Sequence, residues 1–462
     1  MFRDRAESPP LRHACRTVLW LGLVGLVSAV PCRSALAQFG RGGFGFGGVG
    51  GIAIDADGIV RNVDGRALES LSQERREALG DTLPPAKAGG LRKVSLAGMA
   101  AAITEALSAN RPVPPQVAFL GGLERVTHVF VDPQGHDIIL AGPADRARVD
   151  AAGNVLAAAS GRPLLQLEDF VTALRCIDDV RQGGILCSID PTPEGITRLQ
   201  ALLAAQRTMG NDPQALFRSM EEALGPQRVR VGGVPADSRL AHVLVAADYR
   251  MKRIGMGFEP SGVKELPSYL ALVPPGARAS ALPRFWLEAD YEPLARDADE
   301  LAWRINGRRM KCLTESDAAG REGVVRGAGA EDAVARRWCD AMTEHYDRLA
   351  VKHPVFAELV NGVDLAVVAA LIRGRDLDRR AGLDLAPFTD AGRLPLPKHE
   401  IPATVPTVAN GLKKGSTWVL SASGGVQVQP WQCLVGSVEA ADAGEARTQA
   451  LAAKPAAAWW WD

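Results

Sequence analysis

The stretch ILCSIDPTPEGITRLQALL, at residues 185–203, passes from the pattern of a strand to the pattern of a helix. Its first five residues form a short apolar run, which predicts a buried strand. Thr192 and Pro193 then occupy the positions that favour a helix N-cap and a first helical residue. Apolar residues at helical spacing follow, so the stretch predicts one strand–loop–helix unit.

The same arrangement recurs further along the chain. Val229-Arg230-Val231 repeats the strand, Pro235 takes the place of Pro193, and an apolar helical stripe starts at Leu240. Each copy combines a short apolar run, a proline-containing loop and a helical pattern. We therefore predict a duplicated strand–helix module at residues 161–275.

The regions on either side of this module are predicted to contain more β structure. An N-terminal module at 52–160 includes a β-meander, because turn residues separate its short apolar runs. A third module at 276–440 has the patterns of a β-hairpin, a helical hairpin and a C-terminal β segment, and 441–462 is predicted to be a disordered tail. The predicted fold class is α+β, with mixed sheets, β-meander and hairpin segments and strand–loop–helix units in two or three closely packed modules.

Composition and charge limit the class of protein. The 462 residues include 53 Lys+Arg and 53 Asp+Glu, and 47% of them are hydrophobic. This is the composition of a globular protein, and it excludes a fibre, a coiled coil and wholesale disorder. Because the balanced charge creates no long-range field that attracts polyanions, we expect no nucleic-acid partner.

The first residues have the pattern of a secretory signal peptide at 1–37. Basic residues precede an apolar run, and the small-residue triplet Ala35-Leu36-Ala37 predicts cleavage between Ala37 and Gln38. A Gly/Phe-rich tether at 38–51 follows. The apolar run is too short to cross a membrane, and we expect no later transmembrane segment. The mature protein is predicted to be secreted or periplasmic.

Five cysteines follow the predicted cleavage position. An oxidising compartment permits disulfides, and the pairs closest in sequence are Cys176 with Cys187 and Cys312 with Cys339. The spacing does not fix which cysteines pair. The oligomeric state is equally open at this stage.

The loop at residues 188–194 is the best candidate for a catalytic site. It delivers polar side chains to a helix N-terminus, where Asp190 and Glu194 could act as the acid/base pair of a hydrolase. The alternative is that Asp190 and Thr192 bind the free amides at the helix end. The sequence has no GxSxG elbow that would supply an activated serine nucleophile.

A candidate ligand-binding site lies in the second copy of the unit. Gly232 and Gly233 let backbone amides approach a ligand and could cradle an anion, although a tight turn also favours glycine. Tyr249 lies on the following predicted helix, next to Asp248 and near Lys252. These polar residues indicate either a solvated helix face with an Asp248–Lys252 pair or a binding groove.

Asn306-Gly307 is a strong two-residue hairpin signal between two runs of alternating residues. The register of that hairpin sets Arg304 opposite Arg309 on one face, beside Lys311. Because like charges in this position destabilise a sheet, they require a compensating group. That group is either an internal carboxylate or an external polyanion, and for the external case we expect an anionic cell-envelope or extracellular polymer.

Metal and cofactor motifs are missing from the sequence. It has no HExxH, no EF-hand loop and no paired His/Cys cluster. The double glycine lacks the GxGxxG and GxxxxGK[ST] spacings of nucleotide sites. We therefore expect neither a metal nor a cofactor.

Three stretches resemble a secreted planctomycete family known only as a domain of unknown function. They are CSIDPTPEG (187–195), GVPADSRLAHVLVAADYRMKRIGMG (233–257) and SASGGVQV (421–428). The leader and the Gly/Phe tether also fit this family. The resemblance covers most of residues 50–430. The resemblance implies export and a shared fold. Because the family has no established activity or catalytic residues, no residue role is transferred to this sequence.

These patterns favour an exported protein with a non-enzymatic binding or structural role at the cell envelope. A secreted hydrolase that uses Asp190 and Glu194 is the alternative. A third interpretation is an assembly subunit in which the Gly/Phe tether and the Trp-rich C-terminus are adhesive ends.

Overall fold

The computed structural model of the chain describes most of the sequence after residue 90. The described residues are 90–205, 213–274, 283–314, 332–408 and 422–462, with shorter pieces at 52–54, 60–62, 318–320 and 323–325 and parts of 72–86. The predicted signal peptide and the Gly/Phe tether lie outside the described residues. All described residues fall within one compact unit.

One large sheet, which we call sheet I, has six strands with both parallel and antiparallel pairs. In spatial order its strands are Arg309–Thr314, Arg284–Asp290, Ser423–Val428, Ile185–Asp190, Gln227–Gly232 and Thr404–Val405. The two strands of the predicted duplicated unit are neighbours here, and they pair antiparallel with Cys187 opposite Val231. The predicted strand–loop–helix unit is confirmed, because helix Pro193–Ala205 follows Ile185–Asp190.

A second sheet, sheet II, has seven strands. In spatial order they are Val438–Glu439, Ala295–Arg296, Ala302–Arg304, His128–Asp132, Asp137–Gly142, Arg92–Ser95 and Trp460–Trp461. The two hairpins of the predicted β-meander are observed, but they belong to different sheets: His128–Asp132 pairs with Asp137–Gly142 in sheet II, and Ala147–Val149 pairs with Val155–Ala157 in a two-stranded sheet. Three two-stranded hairpins are also described: Ile52–Ile54 with Val60–Asn62, Ala147–Val149 with Val155–Ala157, and Ala318–Gly320 with Gly323–Val325.

Helices pack on both large sheets. The described α-helices are Leu96–Ser108, Pro115–Ala118, Leu167–Cys176, Val180–Gly183, Pro193–Ala205, Pro213–Leu224, Arg239–Gly255, Tyr269–Leu272, Ala333–Glu344, Tyr346–Lys352, Pro354–Gly374, Leu377–Ala381, Ala386–Thr389 and Ala441–Ala452. Two 3-10 helices span Leu120–Gly122 and Pro430–Leu434. Together with the mixed sheets, these helices confirm the predicted α+β fold class.

Helix Pro354–Gly374 lies in the core and contacts helices Leu167–Cys176 and Arg239–Gly255. By length and composition it could cross a membrane, whereas the sequence analysis predicts no transmembrane segment after the leader. Its apolar window is nevertheless entirely buried inside the protein, as expected for a core helix. The helix also carries buried polar side chains, including Glu358 and Asp364.

The hairpin predicted at Asn306-Gly307 is wrong. Ala302–Arg304 pairs with His128–Phe130 in sheet II, whereas Arg309–Thr314 pairs with Arg284–Asp290 in sheet I. The chain therefore crosses from one sheet to the other at this turn. The turn still requires glycine, because φ of Gly307 is +101° and an added Cβ would lie 2.5 Å from the Glu292 amide nitrogen.

The prediction of a disordered tail at 441–462 is also wrong. Helix Ala441–Ala452 packs on sheet II, and Trp460–Trp461 adds an edge strand to that sheet. Trp461 is buried, and its indole NH donates to the carbonyl of Ala450 at 3.2 Å. Apolar burial and strand pairing together order these residues.

The predicted modules are interleaved rather than stacked. Sheet II takes strands from 52–160, 276–440 and the C-terminal segment, whereas sheet I takes strands from 161–275 and 276–440. One hydrophobic core extends through residues of all three modules. The strand pairing therefore ties distant parts of the sequence together.

Candidate functional site

A cleft open to solvent lies beside sheet I, at the C-terminal part of helix Arg239–Gly255. Most of its lining is apolar and includes Met256, Phe258, Val405, Pro406 and Val408. Its polar lining comes from Gln227, Tyr249, Lys252 and Arg253. A mainly apolar lining with a few polar groups is typical of a small-molecule site.

Lys252 lines the cleft, but all the hydrogen bonds that its ammonium group can donate go to other groups of the protein. Its Nζ donates to the carbonyl of Ile189 at 2.7 Å, to Asp248 Oδ2 at 2.9 Å and to the carbonyl of Gly424 at 3.1 Å. An ammonium group has three hydrogens to donate, so these three acceptors saturate it. Lys252 therefore joins the helix to the ends of two strands of sheet I.

Asp248 is completely buried beneath the cleft. Burial raises the pKa of its carboxyl group to about 7, although the neighbouring Lys252 ammonium acts in the opposite direction. Its Oδ1 has no hydrogen-bond partner among the described residues. The carboxyl group thus changes charge near neutral pH without direct contact with solvent.

Asp248 and Lys252 form the expected pair, but the pair is buried and does not lie on a solvated helix face, which was one of the two interpretations of the sequence. Helix Arg239–Gly255 contacts sheet I and also helix Pro354–Gly374, so very little of its surface remains for solvent. His242 on the same helix is buried as well, and burial lowers the pKa of its imidazole to about 3. The helix therefore presents polar side chains to the protein interior as well as to the cleft.

Arg253 supplies the most accessible cation in the described lining of the cleft. A quarter of its side chain is exposed (25%), and its Nε donates to Glu259 Oε1 at 2.6 Å. Its guanidinium carbon lies 5.6 Å from the ring centres of both Tyr249 and Phe258. Its Nη1 also donates to the Tyr249 hydroxyl at 3.4 Å. Tyr249, one of the predicted binding residues, thus lines the cleft beside the Arg253 guanidinium, which Glu259 holds in place.

Asp190 and Glu194, the predicted acid/base pair, have different surroundings. Asp190 accepts a hydrogen bond from the Gly424 amide at 3.3 Å and lies 3.5 Å from Arg284 Nη2. Glu194 is exposed in the first turn of helix Pro193–Ala205. Thr192 binds the free amide of Gly195 at 3.1 Å, as the capping alternative predicted. Neither carboxylate lines the cleft in the described residues.

Gly232 and Gly233 lie at the end of strand Gln227–Gly232. Gly233 has a φ of +83°, and an added Cβ would lie 2.3 Å from the carbonyl oxygen of Gly184. The close approach of these two backbone segments accounts for this glycine. The structure therefore favours the tight turn over the anion cradle at this position.

Arg304, Arg309 and Lys311 do not form the predicted basic face, because the chain changes sheet between them. Each has a different carboxylate partner instead. Arg304 pairs with Asp442, Arg309 Nε lies 3.4 Å from Asp364 Oδ1, and Lys311 Nζ lies 3.9 Å from Glu288 Oε2. The internal compensation considered from the sequence is therefore observed, and the site for an external polyanion is not formed by these residues.

The cysteines after the predicted cleavage position are all free in the structure. Cys312 and Cys339 are buried, and their sulfur atoms lie 3.4 Å apart. Cys187 is buried within sheet I, and Cys176 ends a helix, where it is half-buried. Within the described part of the chain, no group of three or more His, Cys, Asp or Glu side chains could hold a metal ion.

A buried ion cluster lies at the other end of helix Arg239–Gly255, and it was not predicted from the sequence. The Arg239 guanidinium donates to Asp169 and lies 3.2 Å from Glu358 Oε1. All three side chains are buried, and burial raises the pKa of both carboxyl groups while Arg239 opposes that rise. The three residues come from three helices, so no local pattern connects them.

A comparison with protein-family models identifies a DUF1598 domain, described as a protein of unknown function, at residues 187–269. The match includes two of the three stretches that carry the resemblance seen in the sequence, 187–195 and 233–257. It also contains the part of the cleft formed by helix Arg239–Gly255. Comparisons with curated proteins and with solved structures gave no match.

Proposed function

We propose that the chain is an exported, non-enzymatic binding protein of the cell envelope, and that the cleft beside helix Arg239–Gly255 is its ligand site. The observation that carries this proposal is the lining of the cleft, where apolar walls surround a few polar groups. Export is supported by the signal-peptide pattern at 1–37 and by the family resemblance. These two features also favour the envelope as the place of action.

A binding role is favoured over catalysis by the state of the polar groups. The Lys252 ammonium already has three acceptors, so it is poorly suited to act as a nucleophile or a base. Asp190 accepts a hydrogen bond from the Gly424 amide and lies beside Arg284, and it is not among the residues that line the cleft. Hydrolysis at Asp190 and Glu194 therefore has no supporting geometry.

The ligand class follows from the lining. We infer a small molecule with an aromatic or aliphatic body and one anionic or hydrogen-bond-accepting group. The body would contact Met256, Phe258 and Val405, and the polar group would face Arg253, whose charge is partly exposed. One terminal unit of an anionic envelope polymer also has this chemistry.

Filling the cleft should abolish binding without disturbing the fold. Val408 lines the cleft and is 38% exposed, so Val408→Trp adds a bulky ring to the cleft at little cost in stability. We expect wild-type protein to bind at least one of benzoate, cinnamate and octanoate saturably in isothermal titration calorimetry. The variant should bind that probe at least about tenfold more weakly.

Val351→Trp is the matched control, since Val351 is also an exposed valine but is not part of the cleft lining. It should bind the probe as the wild type does. Failure of all three probes to bind wild-type protein, or equal binding by the Val408→Trp variant, would contradict the proposed ligand site.

Export also predicts a disulfide between Cys312 and Cys339. Their sulfur atoms need to move only a short distance to bond, because a disulfide bond is about 2.05 Å long. Protein produced in an oxidising compartment should show three thiols in an Ellman assay under denaturing conditions and five after reduction. Closing this loop should stabilise the protein by about 3 kcal/mol.

The Cys339→Ser variant provides the control for that assay. It should show four thiols with or without reduction, because Cys312 has lost its partner. Five thiols in the unreduced exported wild-type protein would show that the bond does not form.

A further inference from the structure

The edge of sheet II is extended by the last residues of the sequence. Strand Arg92–Ser95 pairs on one side with Asp137–Gly142 and on the other side with Trp460–Trp461. The Ser95 amide also donates to the carbonyl of Trp459 at 2.8 Å. A short segment that adds a strand to a sheet edge is one of the recurring modes of peptide recognition.

Arg92 gives this edge its selectivity for an acidic residue. The side chain is completely buried, its Nε donates to Asp462 Oδ1 at 2.8 Å, and its Nη2 donates to Asp462 Oδ2 at 3.3 Å. Its guanidinium carbon lies 4.5 Å from the centre of the Trp460 ring. A buried guanidinium that binds a carboxylate with two nitrogens and contacts an aromatic ring selects for both groups.

Gly98 gives the edge room for a tryptophan. A Cβ at this position would lie 2.2 Å from Cβ of Trp459, so any side chain larger than hydrogen excludes the segment. Gly98 lies within helix Leu96–Ser108, where alanine is otherwise the more favourable residue. The glycine therefore lowers the helix propensity and at the same time admits the tryptophan.

We propose that strand Arg92–Ser95, together with Gly98, forms a peptide-binding groove for an aromatic–acidic segment. Residues 459–462, Trp-Trp-Trp-Asp, occupy this groove in the same chain. When those residues are displaced, the groove accepts the identical segment of a second copy of the chain, because that copy supplies the same tryptophans and the same carboxylate. This interaction is independent of the cleft.

The test uses protein that lacks residues 459–462 and the synthetic peptide KPAAAWWWD, which corresponds to residues 454–462. Helix Ala441–Ala452 keeps its own anchors in this protein, since Lys454 Nζ bonds Asp137 Oδ2 at 2.9 Å and Arg447 Nε bonds the Val131 carbonyl at 2.7 Å. We expect saturable peptide binding in calorimetry. Full-length protein should bind at least about a hundredfold more weakly, because its tethered segment competes at a high effective concentration.

Gly98→Ala in the shortened protein separates recognition from folding. Alanine suits the helix, so the thermal midpoint should not fall, but peptide affinity should drop at least about tenfold. Gly183→Ala is the matched control, since an added Cβ there meets nothing within 4 Å. A peptide ending in Asn in place of Asp should also bind about tenfold more weakly.

Two outcomes would overturn the proposal: a folded shortened protein that does not bind the peptide, or binding that Gly98→Ala leaves unchanged. Should the shortened protein not fold, the full-length Gly98→Ala variant provides the second measurement. Chymotrypsin should then remove the Trp-rich end from Gly98→Ala much faster than from wild-type protein or Gly183→Ala. Equal rates of cleavage would count against the groove.

Discussion

Arg239→Met is expected to lower the free energy of unfolding by about 3–5 kcal/mol at pH 7. In the folded wild type the guanidinium lies between the carboxyl groups of Asp169 and Glu358, and none of the three side chains is appreciably exposed. Methionine fills a similar volume but carries no charge. Asp169 and Glu358 would then lose the cation that they share, and only the positive charge of Arg75 would still act on Glu358. Burial would therefore force the carboxyl groups to take up protons or to distort the fold.

Urea denaturation of wild-type and variant protein measures this effect. Arg111→Met is the matched control, because Arg111 and its partner Glu105 are both largely exposed, and its effect should stay within about 0.5 kcal/mol. The triple variant Arg239→Met, Asp169→Asn, Glu358→Gln should regain a substantial part of the loss, since it removes both carboxylates together with the guanidinium that they bind. A loss below about 1 kcal/mol for Arg239→Met alone would show that the cluster contributes little.

The strand–loop–helix unit at the start of the DUF1598 match could be predicted because its signals are local. The apolar run at 185–189 ends one residue before the strand Ile185–Asp190 ends, and Thr192 accepts a hydrogen bond from the Gly195 amide in the first turn of the helix. Such features depend on residues a few positions apart. The sequence therefore places this unit correctly without knowledge of the rest of the chain.

The turn at Asn306-Gly307 shows where local signals fail. The chain does bend at Gly307, but the strands on the two sides of the dipeptide belong to different sheets. Their partners, His128–Phe130 and Arg284–Asp290, are set by packing across the whole protein. A turn signal fixes the backbone at the turn, and pairing between strands is decided by burial of their faces.

The order of the C-terminal segment also depends on residues far away in the sequence. Helix Ala441–Ala452 is rich in alanine and has almost no amphipathic pattern, so its packing on sheet II could not be predicted from the pattern of its residues. Its neighbours, such as Asp137 for Lys454 and Arg92 for Asp462, lie more than 300 positions earlier. Three consecutive tryptophans were the available signal, because side chains of that size are rarely left in solvent.

The candidate site was only partly predictable. Tyr249 was identified as a binding residue and lines the cleft, but Lys252 was expected to be solvated. A helix is usually read as having one buried face, and that assumption fails for Arg239–Gly255, which packs between sheet I and another helix. Apolar residues occur on several sides of this helix, and that distribution was the sequence signal of its burial.

Lys252→Met is expected to destabilise the protein by about 3–5 kcal/mol near neutral pH, with a pH dependence that identifies Asp248 as the cause. Burial raises the pKa of Asp248 to about 7 in the wild type. Between the ordinary carboxyl pKa and pH 7, only the unfolded chain has lost this proton, so the free energy of unfolding falls as the pH rises. Above pH 7 the folded protein has lost it as well, and the fall stops. Without the ammonium group the pKa rises further. The folded variant then keeps its proton above pH 7, whereas the unfolded chain, with an ordinary carboxyl pKa, has already lost it.

The difference in the free energy of unfolding between wild type and Lys252→Met should therefore be constant below about pH 7. Above that pH it should widen by about 1.4 kcal/mol per pH unit, as linkage requires for one proton. Lys352→Met, at an exposed lysine, is the matched control and should show neither effect. In Asp248→Asn, Lys252→Met the widening should disappear, because no group remains to titrate. A difference that stayed constant from pH 6 to pH 9 would exclude Asp248 as the partner that makes Lys252 essential to the fold.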